Sequence, residues 1–192
     1  MAAFDRNWAR NQLRHQKNSA VMCFAVMSIL NSDQVDWLLG KTVVLRKDGL
    51  IFCPGASDFI GMGNKYGIDL GQISRVRKNA NSDFLVDLNE FWKQARGNLI
   101  KESFETVMAY AKAQKTLSAL KGLPWYQFTR MVRNCISHDF HFRFNKGDWT
   151  HLPARWNGMM IDLSMQGSEM TESFLDPATT IEAYAEMVNF VS

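Results

Sequence analysis

The feature that most constrains this chain is the stretch from Phe84 to about Leu120, where apolar residues return at helical spacing. Leu88, Phe91, Trp92, Ala95 and Leu99 form one stripe, and Phe104, Val107, Met108 and Ala111 continue it. Side chains three and four apart share one face of a helix, and an apolar face of this length needs other elements to cover it. Asn81-Ser82-Asp83 supplies N-cap candidates in front of the stretch, and Gly97-Asn98 is the place where it would bend or split. The expectation is a mainly α fold.

A second amphipathic segment lies in the run Trp125 to Phe144. Trp125, Phe128, Val132 and Cys135, with Ile136 beside them, recur at the spacing of a half-buried helix. Pro124 suits its first turn and Gly122 the end of the helix before it. Arg130, Asn134 and His138 are four apart and share a face away from that stripe. Arg133 precedes His138 by five residues, about 140° round the helix at 3.6 residues per turn. Asp139 to Phe144 then alternates polar and aromatic residues, the pattern of an extended segment or frayed turn, with His141 and Arg143 on one side and three phenylalanines on the other.

The rest of the chain supplies a helix and two small β regions. Residues 5–31 read as a first helix with Trp8, Leu13, Val21, Phe24, Met27 and Leu30 inward, and Arg6, Arg10, Arg14 and Lys17 as a basic ridge. Residues 33–39 read as a short helical turn. Between Gly40 and Gly71 lie seven of the twelve glycines. Thr42–Arg46 and Leu50–Cys53 flank Lys47-Asp48-Gly49 as a hairpin, and Gly61 to Gly67 reads as a connecting loop. That loop lacks the Gly-Lys-Ser/Thr end of a P-loop. Trp156 and Met159 to Met165 form a strand pair turning at Asn157-Gly158, Gln166-Gly167 turns the chain again, and Thr179-x-x-Glu182 is a capping box for a last helix with Ile181, Tyr184, Val188 and Val191 inward. The sum is a single domain over residues 1–192: a helical bundle with a small β-hairpin insertion at about 40–80, and a C-terminal β appendage plus docking helix at about 150–192.

Composition narrows the function classes. The longest apolar run, Ala20 to Leu30, is too short to span a bilayer and carries Ser28. It also lacks the placement of a signal peptide, so a cytoplasmic protein without membrane attachment is expected. Three cysteines without paired spacing argue against a disulfide framework or a zinc site. No Asp/Glu/His cluster has ligand spacing and no Gly-x-Ser-x-Gly motif occurs, so neither a metal nor another cofactor is expected. The net charge of +3 hides a gradient: residues 1–120 hold 16 Lys/Arg against 11 Asp/Glu, 121–155 hold 6 against 2, and the tail from Trp156 holds 6 acidic residues and no basic ones. A basic body with an acidic tail permits an anionic partner without demanding one, and charges that solvate a surface fit the gradient as well.

Arg133-Asn134-Cys135-Ile136-Ser137-His138, an Arg-Asn-x-x-x-His string near the end of a late helix, resembles the motif of the HEPN superfamily, many members of which are metal-independent endoribonucleases. The resemblance covers roughly residues 84 to 145 and the general lie of the tail. Arg10-Asn11-Gln12-Leu13-Arg14-His15 fits the same string, but it follows no helix and sits among Arg and Gln. The resemblance implies a HEPN-like bundle, Arg133, Asn134 and His138 as catalytic residues, and a polar residue recruited from the preceding helix, for which Glu102 and Glu105 are candidates. It also implies a two-fold homodimer with a composite active site.

RNA cleavage without a metal needs a base for the 2′-hydroxyl, an acid for the leaving 5′-oxygen, and positive charge beside the phosphorane. An unperturbed histidine has a pKa of about 6.5, near neutrality, so a residue of the type of His138 can serve as base or acid. Arg133 can hold two phosphate oxygens at once. Asn134 could orient His138 or bond a phosphate, and His141 competes with a second copy's His138 as the other proton-transfer group. Arg130, Arg143 and Lys146 are the candidates for RNA binding. The expected activity is transesterification by the 2′-hydroxyl, in a toxin or defence nuclease paired with an antitoxin or regulatory protein. The alternative is a non-catalytic HEPN-like module of a two-component system that binds nucleotides or protein. A purely structural reading competes with both, because Arg and His at a helix C-terminus stabilise its last carbonyls.

Overall fold

A computed structural model of the chain describes residues 4–30, 42–46, 49–53, 66–69, 83–171 and 173–192, with side chains described for 4–25, 89–171 and 173–192. In chain order the elements are α1 (Arg6–Leu30), β1 (Thr42–Arg46), β2 (Gly49–Cys53), β3 (Tyr66–Asp69), α2 (Asp83–Ala113), α3 (Leu117–Lys121), α4 (Tyr126–Ile136), α5 (Lys146–Trp149), β4 (Ala154–Trp156), β5 (Met159–Ile161), a 3₁₀ turn at Leu163–Met165, and α6 (Pro177–Val191). The fold is mainly helical, as the apolar periodicity requires. No helix of the described residues is long and apolar enough to cross a membrane.

The chain divides into two compact units, Cys23–Trp92 and the remainder. In the Cys23–Trp92 unit β1 pairs antiparallel with β2, Val44 opposite Ile51, and with β3, Val44 opposite Gly67, giving the order β2-β1-β3. The hairpin expected at Thr42–Cys53 is present, and the end of the presumed loop, Tyr66-Gly67, is instead the start of a third strand. Phe24 and Trp92 meet edge to face at 4.3 Å. The helical turn expected at 33–39 and the rest of the glycine-rich loop lie outside the described residues.

In the other unit the first part of α1 meets the second part of α2 through a polar bridge. Gln16 Nε2 donates to Thr106 Oγ1 at 2.9 Å and to the Glu102 carbonyl, while Ser103 Oγ donates to Gln16 Oε1. Asp5 caps α1 by accepting from the Trp8 amide at 2.7 Å. Ala9, Leu13 and Ala20 turn inward, whereas Val21, expected in the core, is 49% exposed. The α2 stripe buries Leu99, Phe104, Val107 and Ala111 but leaves Phe91 48% exposed. The expected stripe of α4 is fully buried, from Trp125 through Phe128 and Val132 to Cys135 and Ile136.

Helix α2 does not break at Gly97-Asn98. It runs on to Ala113 and ends in a Schellman turn, where Thr116 N donates to the Ala111 carbonyl and Lys115 N to that of Lys112. Lys115 takes the left-handed conformation (φ 58°) that such an end requires, without the glycine that usually announces it. Gly97 has a packing role instead. A Cβ there would lie 2.7 Å from the ring of Phe140 and 3.2 Å from Ile136. In an open helix Gly→Ala gains about 1 kcal/mol; here the overlap with a buried ring outweighs that gain. We expect Gly97→Ala to destabilise the fold by about 1–2 kcal/mol, read by chemical denaturation; unchanged or higher stability would show that Phe140 yields.

The tail follows its turn chemistry. Asn157 (φ 49°) and Gly158 (φ 75°) form the two-residue turn joining β4 to β5, with Trp156 opposite Met159. The second strand ends at Ile161, short of the expected Met165. Helix α6 is capped by Asp176 rather than by a Thr179 capping box: Pro177 opens the helix and Asp176 Oδ1 accepts from the Thr179 amide at 2.7 Å. The helix buries Thr180, Ala183, Tyr184, Met187 and Val191 and leaves Ile181 exposed. Tyr184 Oη donates to the Leu13 carbonyl at 2.9 Å, docking α6 on α1.

The Thr179 amide holds the Asp176 carboxyl below its ordinary value. A carboxyl whose pKa is lowered by folding stabilises the fold fully above its unfolded value and loses that contribution as pH falls through the folded one. Asp176→Ala is therefore expected to melt below wild type at pH 7. The two should converge as pH drops below the ordinary Asp value of about 3.9. Parallel melting curves at every pH would contradict the cap.

Candidate active site

The end of α4 carries the Arg-Asn-x-x-x-His string. Burial of Val132, Cys135 and Ile136 fixes the helix rotation, and Arg133 and Asn134 come to lie half-buried at its margin. Arg133 Nη1 donates to Asn134 Oδ1 at 3.1 Å, and Arg133 Nη2 forms an ion pair with Glu105 Oε1 on α2. Arg133 Nε is buried without an acceptor. Two of the guanidinium's three nitrogens are thus engaged by the protein and one is not. Asn134 orients Arg133 rather than His138. Glu102, the other candidate on α2, keeps an exposed side chain, and its backbone carbonyl accepts from Gln16 and Thr106.

His138 lies two residues past the end of α4, in a turn that continues to His141. Its amide donates to the Cys135 carbonyl and its carbonyl accepts from the His141 amide at 3.0 Å. The imidazole is exposed and makes no hydrogen bond to the described residues. The turn needs two consecutive left-handed residues, Asp139 (φ 53°) and Phe140 (φ 59°). Asp tolerates that region; a bulky Phe there costs roughly 1–3 kcal/mol. Packing offsets the strain, since the Phe140 ring is buried against Gly97 with Lys93 Nζ 4.7 Å above its centre. The position of His138 is therefore set by a ring two residues away.

Beyond the turn the expected extended segment forms. Phe142 N donates to the Ser168 carbonyl and accepts at its own carbonyl from Gly167, while Met170 N donates to Phe140. Phe140 and Phe142 are buried, with Phe142 edge-on to Phe174 at 5.6 Å. The alternation leaves Arg143 exposed and His141 half-exposed, with His141 Nδ1 2.8 Å from the Asp139 carbonyl. A carbonyl only accepts, so Nδ1 is the donor in that contact.

The three residues expected to bind RNA occupy different settings. Arg143 and Lys146 are exposed, Lys146 at the start of α5. Arg130 is engaged by the protein: its Nε donates to Gln127, and its Nη1 lies 2.6 Å from Asp148 Oδ1. Asp148, 1% exposed, also accepts the Asn145 amide through Oδ2, which closes a capping box on α5. Sequence reasoning passed over Asp148; Asn145-x-x-Asp148 resembles a capping box with a shorter acid, the one local signal that could have found it. Cys135, inside the string, faces the core, and burial pushes its thiol up to about 12, so it stays protonated near neutral pH and is no nucleophile.

No model of a known protein family matches this chain, and no curated protein or solved structure matches it.

Proposed function

We propose that the chain is a HEPN-like, metal-independent endoribonuclease whose active centre is built from Arg133, Asn134, Glu105 and His138. The observation that carries this reading is that one helix end presents both a braced guanidinium and an exposed imidazole free of hydrogen bonds to the described residues. Glu105 and Asn134 fix the plane of Arg133, whose side chain is 29% exposed, and its terminal nitrogens carry further N–H groups that a phosphate oxygen could meet. His138 takes the 2′-hydroxyl proton, the 2′-oxygen bonds phosphorus, and the bond to the 5′-oxygen breaks. The 5′-oxygen receives its proton from a second group: His141, one turn away, or His138 of a second copy related by a two-fold axis. The products are a 2′,3′-cyclic phosphate and a 5′-hydroxyl.

The test is incubation with RNA in excess EDTA, with analysis of the product ends. Cleavage that leaves 2′,3′-cyclic phosphates supports the proposal. The absence of cleavage from any RNA pool moves the assignment to a non-catalytic binding module, which one observation already favours: Glu105 neutralises the guanidinium that a phosphate would need. Arg133→Lys separates the two readings further. It keeps the charge and loses the planar fork, so turnover should fall at least about tenfold; near-normal turnover removes Arg133 from the mechanism.

A further inference from the structure

Glu105 faces two ways. Its carboxylate pairs with Arg133, and the same residue lines a groove of about 460 Å³ along α2 together with Phe4, Met108 and Lys112. Glu105, Met108 and Lys112 follow one another at helical spacing, so the groove runs along one face of α2 for about 10 Å at 1.5 Å per residue. Phe4 overhangs it. That ring is 41% exposed, yet it is held in place: it meets Trp8 edge to face at 4.6 Å, and its carbonyl accepts from Gln114 Nε2. The floor is tied to the helix carrying the string, because Tyr126 Oη donates to Met108 Sδ at 3.7 Å. Lys112 is exposed and makes no ion pair with the described residues.

We infer that this groove is the nucleobase subsite of the proposed active centre, taking one unpaired base of single-stranded RNA. This rests on the ribonuclease reading. A fixed aromatic ring with an exposed surface, sharing the groove with the Met108 side chain, suits a flat heteroaromatic ring. Glu105 Oε2, the oxygen not facing Arg133, can accept from an exocyclic amino group, and Lys112 can meet the adjoining backbone phosphate. The groove shares Glu105 with Arg133, so a base seated in it brings its own phosphodiester toward the guanidinium. An apolar peptide segment would use Phe4 and Met108 and leave the Lys112 charge without a role.

The experiment uses the full chain carrying His138→Ala, which slows turnover beyond the time of the measurement, and a labelled single-stranded octaribonucleotide read by fluorescence anisotropy. Adding Phe4→Ala should weaken binding at least about fivefold, Phe4→Trp should restore it, and Lys112→Ala should reduce the salt dependence by about one ion. An octamer made wholly of abasic units should bind equally weakly to Phe4 and Phe4→Ala chains. Equal binding of the intact octamer by Phe4 and Phe4→Ala chains, in a protein that cleaves RNA in EDTA, overturns the subsite and leaves the enzyme standing. Failure of the chain to bind or cleave any RNA overturns both. Loss of self-association or of a peptide ligand on Phe4→Ala, with RNA binding intact, assigns the groove to protein and overturns the proposal.

Discussion

His138→Ala is expected to lower RNA cleavage by about 10²- to 10⁴-fold, the range for removing one positioned proton-transfer group, while leaving the unfolding transition where it is. The second half of that expectation comes from the structure. The imidazole is exposed and makes no hydrogen bond to the described residues, so its loss opens no cavity and strands no buried partner. Initial rates in EDTA and a denaturation curve on the same preparation measure both halves. Full-rate cleavage by the variant would sink the assignment of His138. A large loss of stability would return His138 to a structural role at the end of α4.

Arg130→Ala should do the opposite, destabilising the fold by about 3 kcal/mol. Asp148 is 1% exposed and lies 2.6 Å from Arg130 Nη1, without the alignment of a good hydrogen bond, so the attraction is that of paired charges. Removing the cation leaves a buried carboxylate uncompensated. The loss falls at the low end of the range for broken buried pairs because Arg130 keeps part of its surface in water. Asp148→Asn in the Arg130→Ala background should recover part of the loss, since the neutral amide no longer needs the guanidinium. If Arg130 binds RNA from the surface, the single variant will instead weaken RNA binding with little change in unfolding.

These two residues, eight apart on one expected face, show where the sequence can and cannot be read. Periodicity at three and four residues determined that the chain is mainly helical, that Phe128, Val132 and Cys135 point inward, and that Arg133 and Asn134 do not. The Asn157-Gly158 turn was equally legible, because left-handed backbone at two successive positions strongly favours those residue types. Where a local rule had a competitor, the sequence was ambiguous. Asp176-Pro177 and Thr179-x-x-Glu182 are both helix starts, and of the residues that follow Met187 is buried where Ile181 was expected.

Only the tertiary structure decided the rest. Gly97 reads as a helix breaker until Phe140, more than forty residues later, is seen to fill the space where its side chain would be. Lys115 and Phe140 take left-handed backbone that no local preference predicts; a Schellman turn and a buried ring hold them there. The partners of Arg130 and Arg133 were equally hidden, since Asp148 follows eighteen residues after the one and Glu105 precedes the other by twenty-eight. Sequence specifies which side of a helix a charged group occupies, because that follows from backbone geometry. Which opposite charge it meets depends on how separate elements pack, and packing is a property of the whole chain.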